Sequence, residues 1–242
     1  MQLYYIRHGQ SANNLLWERT RSSDGRNDDP ELTDLGRQQA EHVARFLSQP
    51  IEEDPSAGRD VYEMTGGGLT HLYTSLMVRS VATAVAIAGA VGLPLVGWAD
   101  LHEEGGIYQT NEQRERIGRP GKTRAYFLEN YPSLVLPEEV TDAGWWNRPY
   151  EVEAERTARG QRVWQELIAR HGNTHDRVGL VSHGGFYNRF MEAVLNFSLR
   201  RPEGGAWLHM RNTAVSRLDY ANGWVDLVYQ NRVDFLPREL VT

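Results

Sequence analysis

The sequence predicts an α/β fold of three layers, with a mainly parallel central sheet, helices on both faces and an antiparallel edge. Short apolar runs rich in Val, Leu and Tyr alternate with segments of helical periodicity, a pattern typical of a parallel sheet. Near the end of the chain, Asn222-Gly223 separates two apolar runs and indicates a hairpin, so the last strand pair is expected to be antiparallel. We expect residues 1–242 to form a single domain.

The predicted elements alternate along the chain. Strands are expected at 2–6, 71–75, 94–98, 178–182, 213–219 and 224–229. Helices are expected from Thr33, as the N-cap, to Leu47, and at 77–90, 151–171 and 185–195.

Two stretches interrupt this alternation. Residues 50–70 contain two prolines and a run of three glycines, and we expect a surface excursion there. Residues 104–150 contain four prolines, several aromatic residues and five basic residues between positions 114 and 124. Loops of this length inside a domain commonly cover binding sites, so we expect 104–150 to be a cap or lid.

Composition excludes several classes of protein. The formal net charge of −6 argues against a broad nucleic-acid-binding face. The absence of cysteine excludes disulfides, thiolate zinc sites and cysteine nucleophiles, and agrees with a cytoplasmic protein. Ser80–Ala99 is uncharged and long enough for a membrane span, but Gly92 and Pro94 interrupt it. We therefore expect a buried helix, a turn and a strand there, and no association with a membrane.

Two histidine tripeptides end two of the predicted strands. Arg7-His8-Gly9 follows the run 3–6, and Ser182-His183-Gly184 follows the run 178–181. Ligands of open α/β sheets bind at the carboxyl ends of the strands. We therefore expect two strands from opposite halves of the chain to bring both imidazoles to one site.

The residue types at these strand ends suit phosphoryl transfer. Arginine can pair with two phosphate oxygens at once, and neutral histidine can act as a nucleophile. Arg79 lies in the first turn of the helix after strand 71–75, where helix N–H groups also favour an anion. The acidic segment with Glu103 and Glu104 follows strand 94–98 and can supply the proton that a leaving alkoxide needs.

Each feature also has a simpler interpretation. Arg79 alone would be a solvated arginine, and the acidic segment an exposed loop. A metal site at His8 and His183 is disfavoured, because each is followed by glycine and nearby arginines repel a cation. We expect no metal and no cofactor. The remaining histidines are expected to be ordinary surface or core residues: His42, His71, His102, His171, His175 and His209.

Taken in order, the motifs resemble those of the histidine phosphatase superfamily, in the branch related to cofactor-dependent phosphoglycerate mutase. The matching blocks run through nearly the whole chain: Arg7-His8-Gly9-Gln10-Ser11 with Asn14, Leu32-Thr33 with Gly36 and Gln39-Ala40, Tyr73-Thr74-Ser75 with Arg79 and Thr83-Ala84, Leu101-His102-Glu103, Val181-Ser182-His183-Gly184-Gly185, and Asn212-Thr213-Ala214. Such an ordered set is far more specific than any single block. The resemblance implies a phosphoglycerate mutase-like fold.

The resemblance also implies a role for each matching position. His8 would be the nucleophile that becomes phosphohistidine, and Glu103, with Glu104 as the alternative, would be the general acid. The residues expected to bind the phosphoryl group are Arg7, Arg79 and His183. Further substrate contacts are expected from Asn14, Ser11 and Gly184.

Three functions remain open on the sequence. Mutases of this family resemble one another in a Leu-Asn-Lys segment after the acid block and in a later pair of arginines, and neither is evident in the corresponding regions 105–109 and 141–148. This departure favours a phosphatase that hydrolyses a small, anionic, phosphorylated metabolite over a mutase. The third function is a non-catalytic phosphate-binding or interaction domain, against which the intact set of site residues argues. The sequence indicates no particular oligomeric state.

Arginines and aromatic residues around the expected site have two interpretations each. For the basic residues at 19, 21 and 26 and those between 114 and 124, one interpretation is that they line the mouth of the site, which would favour a highly charged substrate. The other is that they are solvated surface charge. The aromatic residues Trp17, Tyr108, Trp145 and Trp146 form a cap that excludes water, or pack in the core.

Overall fold

A computed structural model describes residues 1–49, 67–201 and 204–242. The strands are β1 (Gln2–Arg7), β2 (His71–Thr74), β3 (Leu95–Gly97), β4 (Tyr108–Thr110), β5 (Arg116–Gly118), β6 (Leu134–Val135), β7 (Arg177–Ser182), β8 (Arg200–Arg201), β9 (Gly204–Gly205), β10 (Val215–Ala221) and β11 (Trp224–Arg232). The α-helices are α1 (Ala12–Thr20), α2 (Asp34–Leu47), α3 (Val78–Val91), α4 (Arg124–Asn130), α5 (Glu153–His171) and α6 (Gly184–Leu195). Short 3₁₀ turns lie at Ala99–Leu101 and Arg238–Leu240.

Seven strands form the central sheet, in the order β11-β10-β1-β7-β2-β3-β6. The five neighbouring strands β1, β7, β2, β3 and β6 are parallel, whereas β10 and β11 pair antiparallel at one edge. Asn222 and Gly223 have the positive φ angles, 53° and 83°, that a two-residue hairpin turn requires. The predicted three-layer α/β fold with an antiparallel edge is confirmed.

The alternation of side chains along β1 explains why both faces of the sheet carry helices. Tyr4 and Ile6 point into a core built with α2 and α3, whereas Leu3 and Tyr5 point into a second core built with α5 and α6. A strand that is buried on both faces is typical of a parallel sheet between two helical layers. The expected N-cap is also present, since the Thr33 hydroxyl accepts the Gly36 N–H at 3.0 Å.

Helix α1, the β4–β5 hairpin, helix α4 and strand β6 are not among the elements predicted from the sequence. Helix α1 has no buried residue, so it lacks the apolar face that reveals a helix in a sequence. Its signal is the cap, in which Ser11 and Asn14 bond reciprocally to each other's backbone N–H groups. Strand β6 is only two residues long.

The stretch 104–150 is more integrated into the fold than a simple lid. Strand β6 extends the central sheet beside β3, and Trp145 and Trp146 are buried in the core with α2 and α3. Most of the excursion expected at 50–70 lies outside the described residues. No helix in the described part of the chain is both long and apolar enough to cross a bilayer, and the uncharged run 80–99 forms α3, a turn and β3.

Sheet order explains how distant parts of the chain meet. Strands β1 and β7 are parallel neighbours, and their register pairs Arg7 with Ser182. The residues that follow, His8 and His183, therefore leave the sheet side by side. Strand β2 lies on the other side of β7, so Arg79, which follows it in α3, reaches the same edge.

Candidate active site

His8 is buried, with 3% of its surface exposed, and both ring nitrogens have partners. Nδ1 lies 2.6 Å from the Gly9 carbonyl oxygen, which can only accept a hydrogen bond, so Nδ1 carries the proton. Nε2 accepts a hydrogen bond from Arg79 Nε at 3.1 Å. Burial lowers the pKa of His8 well below its usual value, and the charges of Arg79 and Arg7 lower it further. The ring is therefore neutral, with its lone pair on Nε2.

His183 faces His8, with 5.1 Å between the ring centroids. Its Nε2 lies 2.9 Å from the Ser75 hydroxyl and 3.3 Å from the Ser80 hydroxyl, while its Nδ1 is buried without a partner. Burial lowers the pKa of His183 well below its usual value, and Arg79 is the next cause. A buried polar atom without a partner is costly, and an oxygen of a bound anion would satisfy a protonated Nδ1.

Arg79 connects the two histidines to an acid that the sequence analysis missed. Asp29 Oδ1 lies 3.8 Å from Arg79 Nη1 and accepts the Val78 N–H at 3.1 Å, so this carboxylate also satisfies the first turn of α3. Burial raises the pKa of Asp29 to about 6, and the charge of Arg79 opposes that rise. Asp29 thereby fixes the direction of the Arg79 guanidinium. In the sequence Asp29 lies in an Asn-Asp-Asp-Pro turn, which resembles many surface loops.

Arg7 lies against the start of α6. Its Nη1 donates to the Met210 carbonyl oxygen at 2.5 Å, and its Nε is buried without a partner. Burial lowers the pKa of Arg7 to about 10, so the side chain remains cationic at neutral pH. The unpartnered Nε is available to an anion.

Glu103 is held at the N-terminus of α6. Its carboxylate accepts the Phe186 N–H at 2.8 Å and the Gly185 N–H at 3.1 Å, where the helix favours a negative charge. A Cβ atom at position 185 would lie 2.4 Å from Glu103 Oε1, so this contact requires glycine. Glu104 instead pairs with Arg189 at 2.7 Å and lies 3.6 Å from Arg156. Glu103 is the acid that lies against α6, and Glu104 belongs to an ion-pair network with the buried Arg189 and Arg156.

A buried ion pair fixes the segment that carries Glu103. Arg159 is 1% exposed and forms two hydrogen bonds to Glu151, at 2.6 and 2.9 Å. Its Nη1 also donates to the carbonyl oxygens of Asp100 and His102, both at 2.8 Å. Such a two-pronged contact restrains both partners geometrically. The sequence analysis missed this pair, because nothing in the sequence connects helix α5 to the acid segment.

The three expected substrate contacts differ in their surroundings. The Ser11 hydroxyl forms part of the cap of α1, so it could bind a substrate only if that cap were broken. Asn14 Oδ1 accepts hydrogen bonds from Ser11 and from the Asn212 amide. The same Asn212 amide donates to the His8 carbonyl oxygen. Because only the oxygen of Asn14 is used in these contacts, its amide nitrogen is left as a donor. Gly184 begins α6, and a Cβ atom there would lie 3.5 Å from Arg7.

A cavity of about 620 Å³ contains Arg7, Glu103 and Gly184 in its wall. Cap residues Tyr108, Arg116 and Tyr150 also line it, as do Trp17, Glu104, Arg156, Gly185, Trp207, His209 and Met210. Of the four aromatic residues considered from the sequence, two therefore face this cavity, and the two tryptophans at 145 and 146 pack in the core. Trp207 is a further aromatic wall that the sequence analysis missed.

The other histidines have several environments. His209 lines the cavity, and His102 is fully buried, with its Nδ1 2.8 Å from the Glu103 carbonyl oxygen. At the opposite edge of the sheet, ligand atoms of His71, His171 and Asp176 lie within 4.8 Å of one another. Both nitrogens of His171 already have partners, Asp176 at 2.8 Å and the Tyr73 hydroxyl at 3.1 Å. This cluster is accounted for by hydrogen bonds that stabilise the fold.

Comparison with known proteins identifies the family of this chain. The sequence profile of the histidine phosphatase superfamily (branch 1) matches residues 3–232. The chain belongs to the histidine phosphatase superfamily. Members of this superfamily are phosphatases or mutases. Among curated relatives of this chain, the probable phosphoglycerate mutase GpmB of Proteus mirabilis is 26% identical over 235 residues, which cover 93% of this chain and 90% of the relative.

Solved structures show the same fold. Phosphoserine phosphatase of Entamoeba histolytica, as a mutant in complex with phosphoserine, matches with a TM-score of 0.56 at 18% identity and covers 98% of this chain and 99% of its own. A mycobacterial glucosyl-3-phosphoglycerate phosphatase, in complex with inorganic phosphate, matches with a TM-score of 0.56 at 21% identity, again over 98% and 99% of the two chains.

Proposed function

We propose that this histidine phosphatase hydrolyses a small phosphorylated metabolite through a phosphohistidine intermediate on His8. One observation carries this proposal: the proton of the ring is held on Nδ1 by the Gly9 carbonyl, and the lone pair of Nε2 points toward the Arg79 guanidinium. A phosphoryl group bound by Arg79 would lie beside that lone pair. Positioning and positive charge are what phosphoryl transfer requires.

In the first step, Nε2 of His8 attacks phosphorus and the bond from phosphorus to the leaving oxygen breaks. Glu103 acts as the general acid: the oxygen takes a proton from its carboxyl group, the alcohol departs, and the carboxylate that remains is stabilised by the Gly185 and Phe186 N–H groups. The negative charge on the phosphoryl oxygens is balanced by Arg7 and Arg79. Arg7 Nε and His183 Nδ1, which are both buried without a partner among the described residues, donate hydrogen bonds to these oxygens. The Asn14 amide and the Gly184 N–H are further donors in this proposal.

In the second step, water attacks the phosphohistidine. The Glu103 carboxylate takes a proton from the water as the bond between Nε2 and phosphorus breaks, which returns neutral His8 and releases phosphate. The same carboxyl group therefore serves as acid and then as base. Both steps use groups of this chain alone, so no metal or cofactor is included in the proposal.

Mutase chemistry is the second candidate, and the relatives named probable phosphoglycerate mutase favour it. The absence of the mutase-like Leu-Asn-Lys and paired-arginine segments supports hydrolysis instead. A non-catalytic phosphate-binding domain is the third candidate. It is disfavoured because decay of an enzyme removes site residues, and His8, Arg79 and Glu103 are all present.

We further infer that residues 1–242 act as one domain in which part of 104–150 is the cap. The hairpin of β4 and β5, together with Tyr150, supports this, because its side chains line the cavity beside Arg7 and Glu103. A phosphorylated metabolite as substrate and a net charge of −6 support a cytoplasmic protein that binds neither nucleic acid nor membranes.

One assay separates the three candidates. The wild type is incubated with p-nitrophenyl phosphate between pH 5 and 8, beside His8→Ala, whose fold is checked by circular dichroism. Turnover by the wild type and none by a folded His8→Ala supports the phosphatase. Isomerisation of 3-phosphoglycerate that depends on 2,3-bisphosphoglycerate would support the mutase. Equal turnover by both proteins would overturn the proposed nucleophile, and no turnover on any phosphorylated compound would support a binding domain.

A further inference from the structure

A second cavity, of about 520 Å³, adjoins the proposed catalytic cavity. The two share Trp17, Tyr108 and Arg116 as wall residues, so they form a continuous surface depression. One side of the second cavity is the loop that follows α1, and the other is the β4–β5 hairpin of the cap. Residues from the sheet-bearing part of the chain and from the cap therefore face each other across it.

Four arginines line this second cavity: Arg21, Arg26, Arg114 and Arg116. Among the described residues of its wall, Asp24 is the single carboxylate. Among residues 1–49, 67–201 and 204–242, no carboxylate oxygen lies within 4.0 Å of a guanidinium nitrogen of these four arginines. Four like charges around one cavity repel one another, and a bound anion would relieve that repulsion.

The other basic residues near the mouth of the site are engaged elsewhere. Arg119 pairs with Asp28 at 4.0 Å, and Lys122 lies 4.4 Å from the Tyr126 ring. Arg124 donates to two backbone carbonyl oxygens, each at 2.7 Å. These three residues line neither cavity, whereas the four arginines line the second one, and of those four Arg116 also donates to the Tyr150 hydroxyl.

The arginine cluster also lies close to the proposed phosphoryl site. The Arg26 guanidinium carbon is 4.1 Å from the centre of the Tyr108 ring, and that of Arg116 is 5.9 Å from the same ring. Burial lowers the pKa of Arg79, the charges of Asp29 and Glu103 oppose this, and the charge of Arg26 lowers it further. Arg26 is therefore near enough for its field to act on the phosphoryl-binding arginine.

We propose that the second cavity binds a second phosphoryl group, so that the preferred substrate carries at least two phosphoryl groups. One would lie beside His8, and the other between the loop after α1 and the cap hairpin. This inference rests on the proposed phosphatase function. A phosphoryl group matches the site better than a single carboxylate, because its charge approaches −2 and its three oxygens can accept from several guanidinium groups at once.

The test uses His8→Ala, so that the probe is not consumed, and measures the binding of inorganic phosphate, tripolyphosphate and citrate by calorimetry. The key variant adds Arg26→Gln and Arg114→Gln, and the control adds Arg19→Gln instead. Arg19 is an exposed arginine of α1 that lines neither cavity. The control therefore removes positive charge nearby without touching the proposed subsite.

We expect tripolyphosphate to bind at least about tenfold more tightly than phosphate, since two exposed charge pairs of about 0.7 kcal/mol each amount to a factor of ten. The double arginine variant should lose roughly that factor for tripolyphosphate and much less for phosphate, whereas Arg19→Gln should change either by about twofold or less. Raising the salt concentration should reduce the preference for tripolyphosphate.

Three results would overturn the inference. They are equal affinity for phosphate and tripolyphosphate, equal losses in the double variant and the Arg19 control, and binding of citrate as tight as that of tripolyphosphate. Binding by calorimetry needs no turnover. Tight, arginine-dependent binding of tripolyphosphate in a protein whose wild type hydrolyses no phosphate ester would therefore reject the phosphatase and leave the subsite standing.

Discussion

Replacing Arg159 by methionine should destabilise the protein strongly, although Arg159 lies outside the cavity. Methionine keeps most of the side chain's volume and removes the charge and all four hydrogen bonds, two to Glu151 and two to the carbonyl oxygens of Asp100 and His102. Glu151, which is 5% exposed, would then be a buried carboxylate without its main partner. Arg156 Nε, at 4.0 Å, would be the nearest remaining guanidinium nitrogen.

Breaking a buried ion pair by removing one partner costs about 3–5 kcal/mol. Because Arg156 remains nearby, we expect the lower end, about 3 kcal/mol. For a protein of this length, each kcal/mol lowers the melting temperature by about 2–4 °C, so a decrease of roughly 6–12 °C is expected. Differential scanning calorimetry at pH 7 measures it directly.

Arg162→Met is the matched control. Arg162 lies one turn further along the same helix and pairs with Asp100 at 3.1 Å, but its side chain is 54% exposed. Exposed pairs contribute about 0–1 kcal/mol, so a decrease of at most about 4 °C is expected. Adding Glu151→Gln to Arg159→Met should restore part of the loss, because no unpaired charge remains buried. Equal decreases for Arg159→Met and Arg162→Met would refute this reasoning.

Three further predictions concern titratable groups of the site. Glu103→Gln should lower kcat by about 10²–10⁴, and Glu104→Gln by about tenfold or less, since that residue pairs with a neighbouring arginine; the reverse order in steady-state kinetics would contradict the assignment. Burial raises the pKa of Asp29 to about 6, so the folded state binds its proton more tightly than the unfolded state and stability falls as the pH rises from about 4 to 6. Urea unfolding of Asp29→Asn should therefore show its stability relative to the wild type rising by about 2 kcal/mol over that range, and a constant difference would contradict this. Burial and two arginines lower the pKa of His8, so ¹⁵N NMR should show a neutral Nδ1–H ring at pH 6.0, where an ordinary histidine is mostly protonated.

The parts of the site that follow strand ends could be predicted from the sequence. His8 and His183 each end an apolar run, and parallel strands place such residues at one edge of the sheet. Arg79 could be found in the same way, since it begins the helix after β2. Their roles in catalysis remain predictions that the assays above test.

The parts that depend on contacts between distant segments could not be predicted. Asp29 contacts Arg79 across 50 residues of sequence, and Arg159 contacts the acid segment from helix α5. No local pattern encodes either pairing. The arginines near the cavity cannot be distinguished by their sequence surroundings. Only the fold shows that Arg124 donates to backbone carbonyl oxygens and that Arg114 faces the second cavity.

The most direct test of the account is to locate the phosphoryl group during turnover. The wild type is mixed rapidly with a phosphorylated substrate, quenched in base, where phosphohistidine is stable, and digested for peptide mass spectrometry. One phosphoryl group is expected on the peptide that contains His8, and none is expected in wild-type enzyme treated without substrate. Turnover with the phosphoryl group on His183 or on any other side chain, or with His8 unmodified throughout, would contradict it.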